Sequence, residues 1–183
     1  MAYIGLLADT HVPHRMTALP PVLFEQLAGV DLVLHAGDLD DPAVLDELCH
    51  VAPVQAVRGN LHLQAPWPND QRLPLFRELQ IEGQRIVLTH GHLSFWNSLW
   101  EKFWMVRPDH RMYANHRMMA RMARVFPGAD VYVFGHSHRA LIERRGAALF
   151  VNPGAVCATR GEIASMARLR VMPDGVEAEI VPL

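Results

Sequence analysis

The chain has 183 residues, half of them hydrophobic and a fifth charged, with a formal net charge of −2. That is enough for one globular domain with a substantial core, and the near-neutral balance excludes a global basic field that would recruit nucleic acid or a membrane. The two cysteines, Cys49 and Cys157, lie in or beside apolar segments; they are expected as small buried hydrophobes, and with no disulfide framework they fit a reducing cytoplasm.

Residues 3–8 (Tyr-Ile-Gly-Leu-Leu-Ala) predict a buried first strand that ends at Asp9-Thr10-His11. The segment has no basic n-region, and its apolar run is too short for a signal peptide or a membrane span. A helix follows, with Thr17 as candidate N-cap, Pro20-Pro21 in its first turn, and Val22, Leu23, Leu27 and Val30 on its apolar side. Asp31–Ala36 predicts a second strand ending at Gly37-Asp38, and Asp41-Pro42 starts a helix that runs to about His50. Val54–Arg58 predicts a third strand, ending at Gly59-Asn60; three prolines and an Asn-Asp pair make 61–74 a loop. A hairpin over 75–81 and 84–89 turns at Glu82-Gly83 and ends at His90-Gly91-His92. Residues 94–126 carry a helical pattern, and Val131–Phe134 is a β-branched and aromatic strand run opening into Gly135-His136-Ser137-His138. His136 and His138 stand at i and i+2, so an extended backbone would put both rings on one side. Strands at 139–145 and 149–151 lead into Asn152-Pro153-Gly154, and a last hairpin, 167–172 with 176–181, turns at Pro173-Asp174-Gly175. The expected architecture is α/β (α+β) in a single domain, 1–183.

Polar groups able to bind metal follow five separate strands: Asp9 and His11, Asp38, Asn60, His90, and His136 with His138. Strands pointing the same way would bring them to one edge, beyond the carboxyl ends where ligands bind in open α/β sheets. Carboxylate, imidazole and amide oxygen suit Mn, Fe, Ni or Zn. Seven ligands exceed what one ion with an open position needs, and match two ions with one bridging carboxylate. Two divalent cations, two carboxylates and a bridging hydroxide leave a net +1, which attracts an anion and stabilises charge developing on a phosphoryl group. Taken singly each residue is an ordinary loop polar; five ordered matches at strand ends argue for a shared site.

Asp-x-His, Gly-Asp, Gly-Asn, His-Gly-His and Gly-His-Ser-His, in this order, resemble the calcineurin-like metallophosphoesterases, and most closely their small single-domain bacterial and archaeal phosphodiesterases. Thr89-His90-Gly91-His92 and Asn152-Pro153-Gly154-Ala155 also match that branch. The resemblance implies a two-sheet β-sandwich flanked by helices, with a helical insertion at about 93–127. It implies one metal on Asp9, His11, Asp38 and His138, and a second on Asp38, Asn60, His90 and His136, with Asp38 bridging. Mn is the leading metal and Fe, Ni or Zn the alternatives. Attack by a hydroxide bridging the two ions would hydrolyse a phosphodiester.

The chain departs from the family after Gly-Asn, where Leu61-His62 stands and Leu61 cannot donate a proton. His62, His92 and His116 are the candidate proton donors in its place. Asp-Arg-Gly, which follows the second motif in phosphoprotein phosphatases, is replaced here by Leu39-Asp40-Asp41-Pro42. Trp96, Leu99, Trp100, Phe103 and Trp104 fall at helical spacing and read as core or subunit-interface packing. Lys102 and five arginines against Glu101 and Asp109 give 93–127 a net charge of +4. That charge reads either as a solvated helix face or as a lid toward a phosphate substrate, with Asn60, His116 and Arg117 as substrate contacts. His35 is expected to tether a strand end, and His14 and His50 to lie at the surface. The expected partner is a small phosphate ester, with a nucleotide or short nucleic acid as a narrower class, no membrane, and self-association through 93–127. A nuclease or nucleotide phosphomonoesterase is the alternative activity, and a metal-binding protein-interaction scaffold is the alternative from another class.

Overall fold

A computed structural model of the chain describes residues 1–60, 70–91, 113–157 and 161–183. Among these, ten strands form two five-stranded sheets. The strands are β1 (Ala2–Leu7), β2 (Leu32–His35), β3 (Val54–Ala56), β4 (Phe76–Ile81), β5 (Gln84–Thr89), β6 (Val131–Val133), β7 (Leu141–Arg145), β8 (Ala148–Asn152), β9 (Ser165–Met172) and β10 (Gly175–Pro182). The helices are α1 (Pro21–Leu27), α2 (Ala43–Leu48) and α3 (Ala114–Val125). None of the described helices is long and apolar enough to cross a membrane.

The first sheet has the order β10-β9-β1-β2-β3 and the second β4-β5-β6-β8-β7. In the first, β1, β2 and β3 run parallel. In the second, β5, β6 and β8 run parallel. Hairpins supply the antiparallel edges: β4 with β5, β7 with β8, and β9 with β10. Five of the six parallel strands, β1, β2, β3, β5 and β6, carry the turns with the candidate ligands at their carboxyl ends, the arrangement the motif spacing predicts; the sixth, β8, ends at Asn152.

Period-two alternation sorts the side chains into layers. Ile4 and Leu6 of β1 enter a cluster with Leu34, Ile86, Leu88, Val131, Val133 and Val151, which joins the two sheets. Leu7 and Val33 point the other way, to Leu23, Leu27, Leu45 and Leu48 of α1 and α2. On the outside of the second sheet, Val87, Tyr132, Phe134 and Phe150 pack on Ala114, Met118, Met119 and Met122 of α3. This is the two-sheet sandwich flanked by helices.

Some local expectations change. The cap of α1 is Pro20 rather than Thr17, with Pro21 at the first helical position and no side-chain cap bond; the Pro21 ring keeps Pro20 extended by steric clash and its own fixed φ suits the first helical position. Helix α2 stops at Leu48, two residues before His50. Cys157 is buried but Cys49 is exposed. Position 49 is the C-cap of α2, one residue beyond the buried Leu48. Of the basic segment, 93–112 lies outside the described residues, and so does the whole aromatic stripe at 96–104; the described part of the helical pattern is α3.

Leu27 is fully buried and its Cδ2 occupies the notch that Gly5 leaves in β1, where a Cβ would overlap it. Leu27→Ala should cost about 2–5 kcal/mol in urea denaturation. A loss well under 1 kcal/mol would show that this contact is not part of the core.

Candidate metal centre

The turns that leave the strands are sewn together by the backbone. Asp9 N donates to Gly37 O (2.9 Å), His11 N to Asp38 O (3.0 Å), and Cys157 N to Asp9 O (3.2 Å). These bonds extend the ladder past the strand ends and force the turns into an unusual shape. Asp9, His11, Asp38, His136 and His138 all have positive φ, between 51° and 72°. Non-glycine residues hold the left-handed region at a cost of order 1–3 kcal/mol each, and concentrations of such strain mark functional sites. The pair His136 and His138 is therefore not the extended His-x-His that the spacing suggests. Its rings diverge: His136 meets His90 edge-on with centroids 5.2 Å apart, and His138 stacks on His11 at 5.3 Å.

Glycine appears where no side chain fits. At Gly59 a Cβ would overlap the backbone nitrogen and carboxylate of Asp38, and at Gly37 (φ 93°) one would lie 2.9 Å from both Arg58 O and His90 Nδ1. Gly-Asp and Gly-Asn thus pack against each other as a pair.

The structure brings all seven predicted ligands together. Asp9, His11, Asp38, Asn60, His90 and His136 are buried, while the His138 side chain keeps 15% exposure. His138 Nε2 lies 3.4 Å from Asp9 Oδ1, and His90 Nε2 lies 3.3 Å from Asp38 Oδ2. His11 Nε2 is 4.0 Å from Asp9 Oδ1 and 3.9 Å from Asp38 Oδ2. The Asn60 amide nitrogen is 2.5 Å from His136 Nδ1 and 3.3 Å from His90 Nε2. Two trios, Asp9 with His11 and His138, and Asp9 with Asp38 and His90, have ligand atoms within 4.8 Å of one another. Asp9 is common to both, and Asp38 Oδ2 also lies within 4.0 Å of both His11 and His90.

Two polar atoms in this cluster, Asp9 Oδ1 and His11 Nε2, are buried with no hydrogen-bond partner among the described residues. Orphaned buried polar atoms are costly and rare. A cation would satisfy both, because a carboxylate oxygen and an imidazole nitrogen are each able to ligate it. The oxygen and nitrogen donor set suits a first-row divalent metal.

Electrostatics agree with that reading. Burial pushes the Asp9 carboxyl up to about 7, with the Asp38 charge adding to it and His90 opposing. Burial would raise Asp38 too, but the charge of His90 and its hydrogen bond outweigh it and hold Asp38 well below the usual carboxylate range. Burial would lower His90, yet the Asp38 charge carries it up to about 9. Burial, reinforced by His11, lowers His138 to about 3. Two buried carboxylates beside four imidazoles compensate one another only in part, and added positive charge would complete the balance.

The surrounding contacts orient this set. His90 Nδ1 donates to Ala36 O at 2.6 Å, which turns Nε2 inward. His35 tethers its strand end as expected: Gly37 N donates to its Nδ1 at 3.1 Å, and Nε2 reaches Thr10 Oγ1 at 3.2 Å. His50 is exposed, on Glu47 O. His14 is largely exposed yet anchored on Asp40 at 3.2 Å.

Sequence reasoning missed a buried amide network. Asn152 Nδ2 lies 3.0–3.2 Å from Gly135 O, Ser137 Oγ and Asn115 Oδ1, three acceptors that its two N–H groups share, while Ser137 Oγ donates to Asn115 Oδ1 (2.6 Å). It fastens the loop carrying His136 and His138 to the first turn of α3. Asn152 is thus more than the turn residue that Asn-Pro-Gly suggests. The one available signal was its place at a sixth parallel strand end.

Among the candidate proton donors, His62 and His92 lie outside the described residues. His116 is exposed on α3, with Nε2 3.1 Å from Glu143 Oε2. Arg117 is half-buried on the same helix.

The comparisons with known proteins decide the family. Residues 3–173 match the model of the calcineurin-like phosphoesterase superfamily domain. The chain belongs to this superfamily. The chain is 32% identical over 180 residues to a probable metallophosphoesterase of Methanothermobacter thermautotrophicus, covering 97% of this chain and 91% of that one. It is 30% identical over 128 residues to phosphodiesterase YfcE of Escherichia coli K12, covering 64% of this chain and 50% of the relative. In fold it is similar to Vps29 of Entamoeba histolytica complexed with Zn²⁺, with a TM-score of 0.72 at 22% identity over 98% of both chains.

Burial lowers His35 to about 3 from its ordinary 6.5. A depressed histidine stabilises the fold above 6.5, and that stability is lost as pH falls from 6.5 toward 3, by up to about 1.4 kcal/mol per pH unit. Metal-free His35→Gln should therefore lose less stability than the parent chain between pH 6.5 and 4 in urea denaturation. Equal losses would mean that His35 is not held neutral.

Proposed function

We propose that this chain hydrolyses phosphodiester bonds at a centre holding two divalent ions, Mn²⁺ in the first place and Fe, Ni or Zn as alternatives. Asp9, His11, Asp38 and His138 would hold one ion, and Asp38, Asn60, His90 and His136 the other, with Asp38 shared. The observation that supports this most is the division of four imidazoles into two ring pairs, His11 with His138 and His90 with His136. Each pair has a member within 4.0 Å of both the Asp9 and Asp38 carboxylates. Bound there, two ions would supply Lewis acidity that activates water as a nucleophile and neutralises charge on the phosphoryl oxygens.

The protein's own groups perform the positioning. Ala36 O fixes the His90 ring through Nδ1, and the His136 backbone N–H donates to Asp9 Oδ2 at 3.1 Å, so that Oδ1 is the oxygen left facing the cluster. A half-turn of the Asn60 amide would present its oxygen at the point its nitrogen now occupies. His138, with 15% exposure against 1% for His11, marks the open side from which an anionic ester would approach. The substrate is a small phosphate ester; a nucleotide or short nucleic acid would suit the basic 93–127 segment, whose described part carries Arg117, Arg121 and Arg124.

Chelator-treated protein should hydrolyse bis-p-nitrophenyl phosphate only after Mn²⁺ is restored, and Asp38→Ala should lower that rate by at least about 100-fold. No metal-dependent rate in the parent chain would overturn the phosphodiesterase reading. Faster turnover of p-nitrophenyl phosphate than of the diester would favour a phosphomonoesterase.

A further inference from the structure

Asp40 lies outside the motifs that carry the family resemblance, and the structure puts it against the metal centre. Its side chain is fully buried. Oδ1 and Oδ2 lie 3.2 and 3.3 Å from His11 Nδ1, and Oδ2 also lies 3.2 Å from His14 Nδ1. Its backbone is strained like that of the ligands, with φ 67°. A parallel bridge joins it to Val12, so the turns after β1 and β2 are held together at this residue.

We propose that Asp40 is a positioning residue that fixes His11 as a ligand through Nε2, with His14 holding the Asp40 carboxylate in place. The inference rests on the two-metal reading above. A carboxylate accepts hydrogen bonds and does not donate them, so the hydrogen of His11 must sit on Nδ1. Nε2 is then the lone-pair nitrogen, and it is this atom that faces Asp9 Oδ1 and Asp38 Oδ2. Buried metal-binding histidines commonly have such an outer partner, which locks the tautomer and raises the basicity of the donor nitrogen. His90 has the neutral version of the device in Ala36 O; His11 has the charged one, which makes the stronger hydrogen bond. A buried carboxylate needs more than one donor. His14 supplies the second from the surface, its ring 70% exposed. His138 stacked on the other side leaves the His11 ring little freedom except a flip, which Asp40 prevents.

The test uses the full chain with Zn²⁺ as probe, titrated calorimetrically, and ¹⁵N-histidine spectra before and after loading. Asp40→Asn keeps the size and one acceptor oxygen but loses the charge and cannot serve both histidines. It should weaken binding of one ion by about 10–100-fold while the other changes little, and should alter the His11 Nδ1–H signal. His14→Ala should have the same effect in smaller degree. Should Asp40→Ala fail to fold, Asp40→Asn carries the result. Binding of both ions by Asp40→Asn within about threefold of the parent, with an unchanged His11 spectrum, would overturn the inference alone. A parent chain that takes up no Zn²⁺ would overturn the two-metal reading, and this inference with it.

Discussion

Asp9 and Asp38 are two carboxylates held beside each other with 0% and 5% exposure. Charge removed from water must be compensated locally or neutralised by protonation. The protein does each by halves: Asp38 is held ionised by His90, while Asp9, at about 7, is driven toward its neutral form. Neither partner completes the balance, and Asp9 Oδ1 still has no hydrogen-bond partner among the described residues. Most of what is unusual in this structure follows from keeping that unfinished arrangement intact.

The frame that keeps it is the sandwich. Three parallel strand ends from each sheet converge because one apolar cluster, Ile4 and Leu6 against Ile86, Leu88, Val131 and Val133, holds the sheets face to face. The turns beyond them are then short, stitched by Asp9 N to Gly37 O and His11 N to Asp38 O, and must pass through left-handed dihedrals. Aspartate tolerates these better than most residues, and Gly37 and Gly59 remove the remaining clashes. Outside the ring of candidate ligands, Ala36 O, Asp40 and the Asn115–Ser137–Asn152 network each contact one part of the cluster. Strain in the backbone and order in the side chains are two aspects of the same preorganisation.

Much of this was legible in the amino-acid sequence. Apolar runs of strand length ending in Asp, Asn or His gave away the parallel strands and the convergence of their ends, and Glu82-Gly83 and Pro173-Asp174 gave the hairpins. Other features were not legible for physical reasons. Spacing predicts where a side chain starts, not the sign of φ, so the divergence of His136 from His138 could not be read from i, i+2. A partner such as Asp40 becomes visible only when two turns 29 residues apart meet. Cys49 sits in an apolar sequence, but its exposure is set by where α2 stops. His116 belongs to a basic helix, and only the pairing of α3 with β7 shows that its ring turns to Glu143.

The central claim is that one buried cluster holds two metal ions rather than one or none. Anomalous diffraction from crystals of the full chain grown with Mn²⁺ tests it most directly. The account predicts two peaks about 3.5–4 Å apart, one among Asp9, His11 and His138 and the other among Asn60, His90 and His136, with Asp38 between them. A single peak, or peaks away from these side chains, would contradict it.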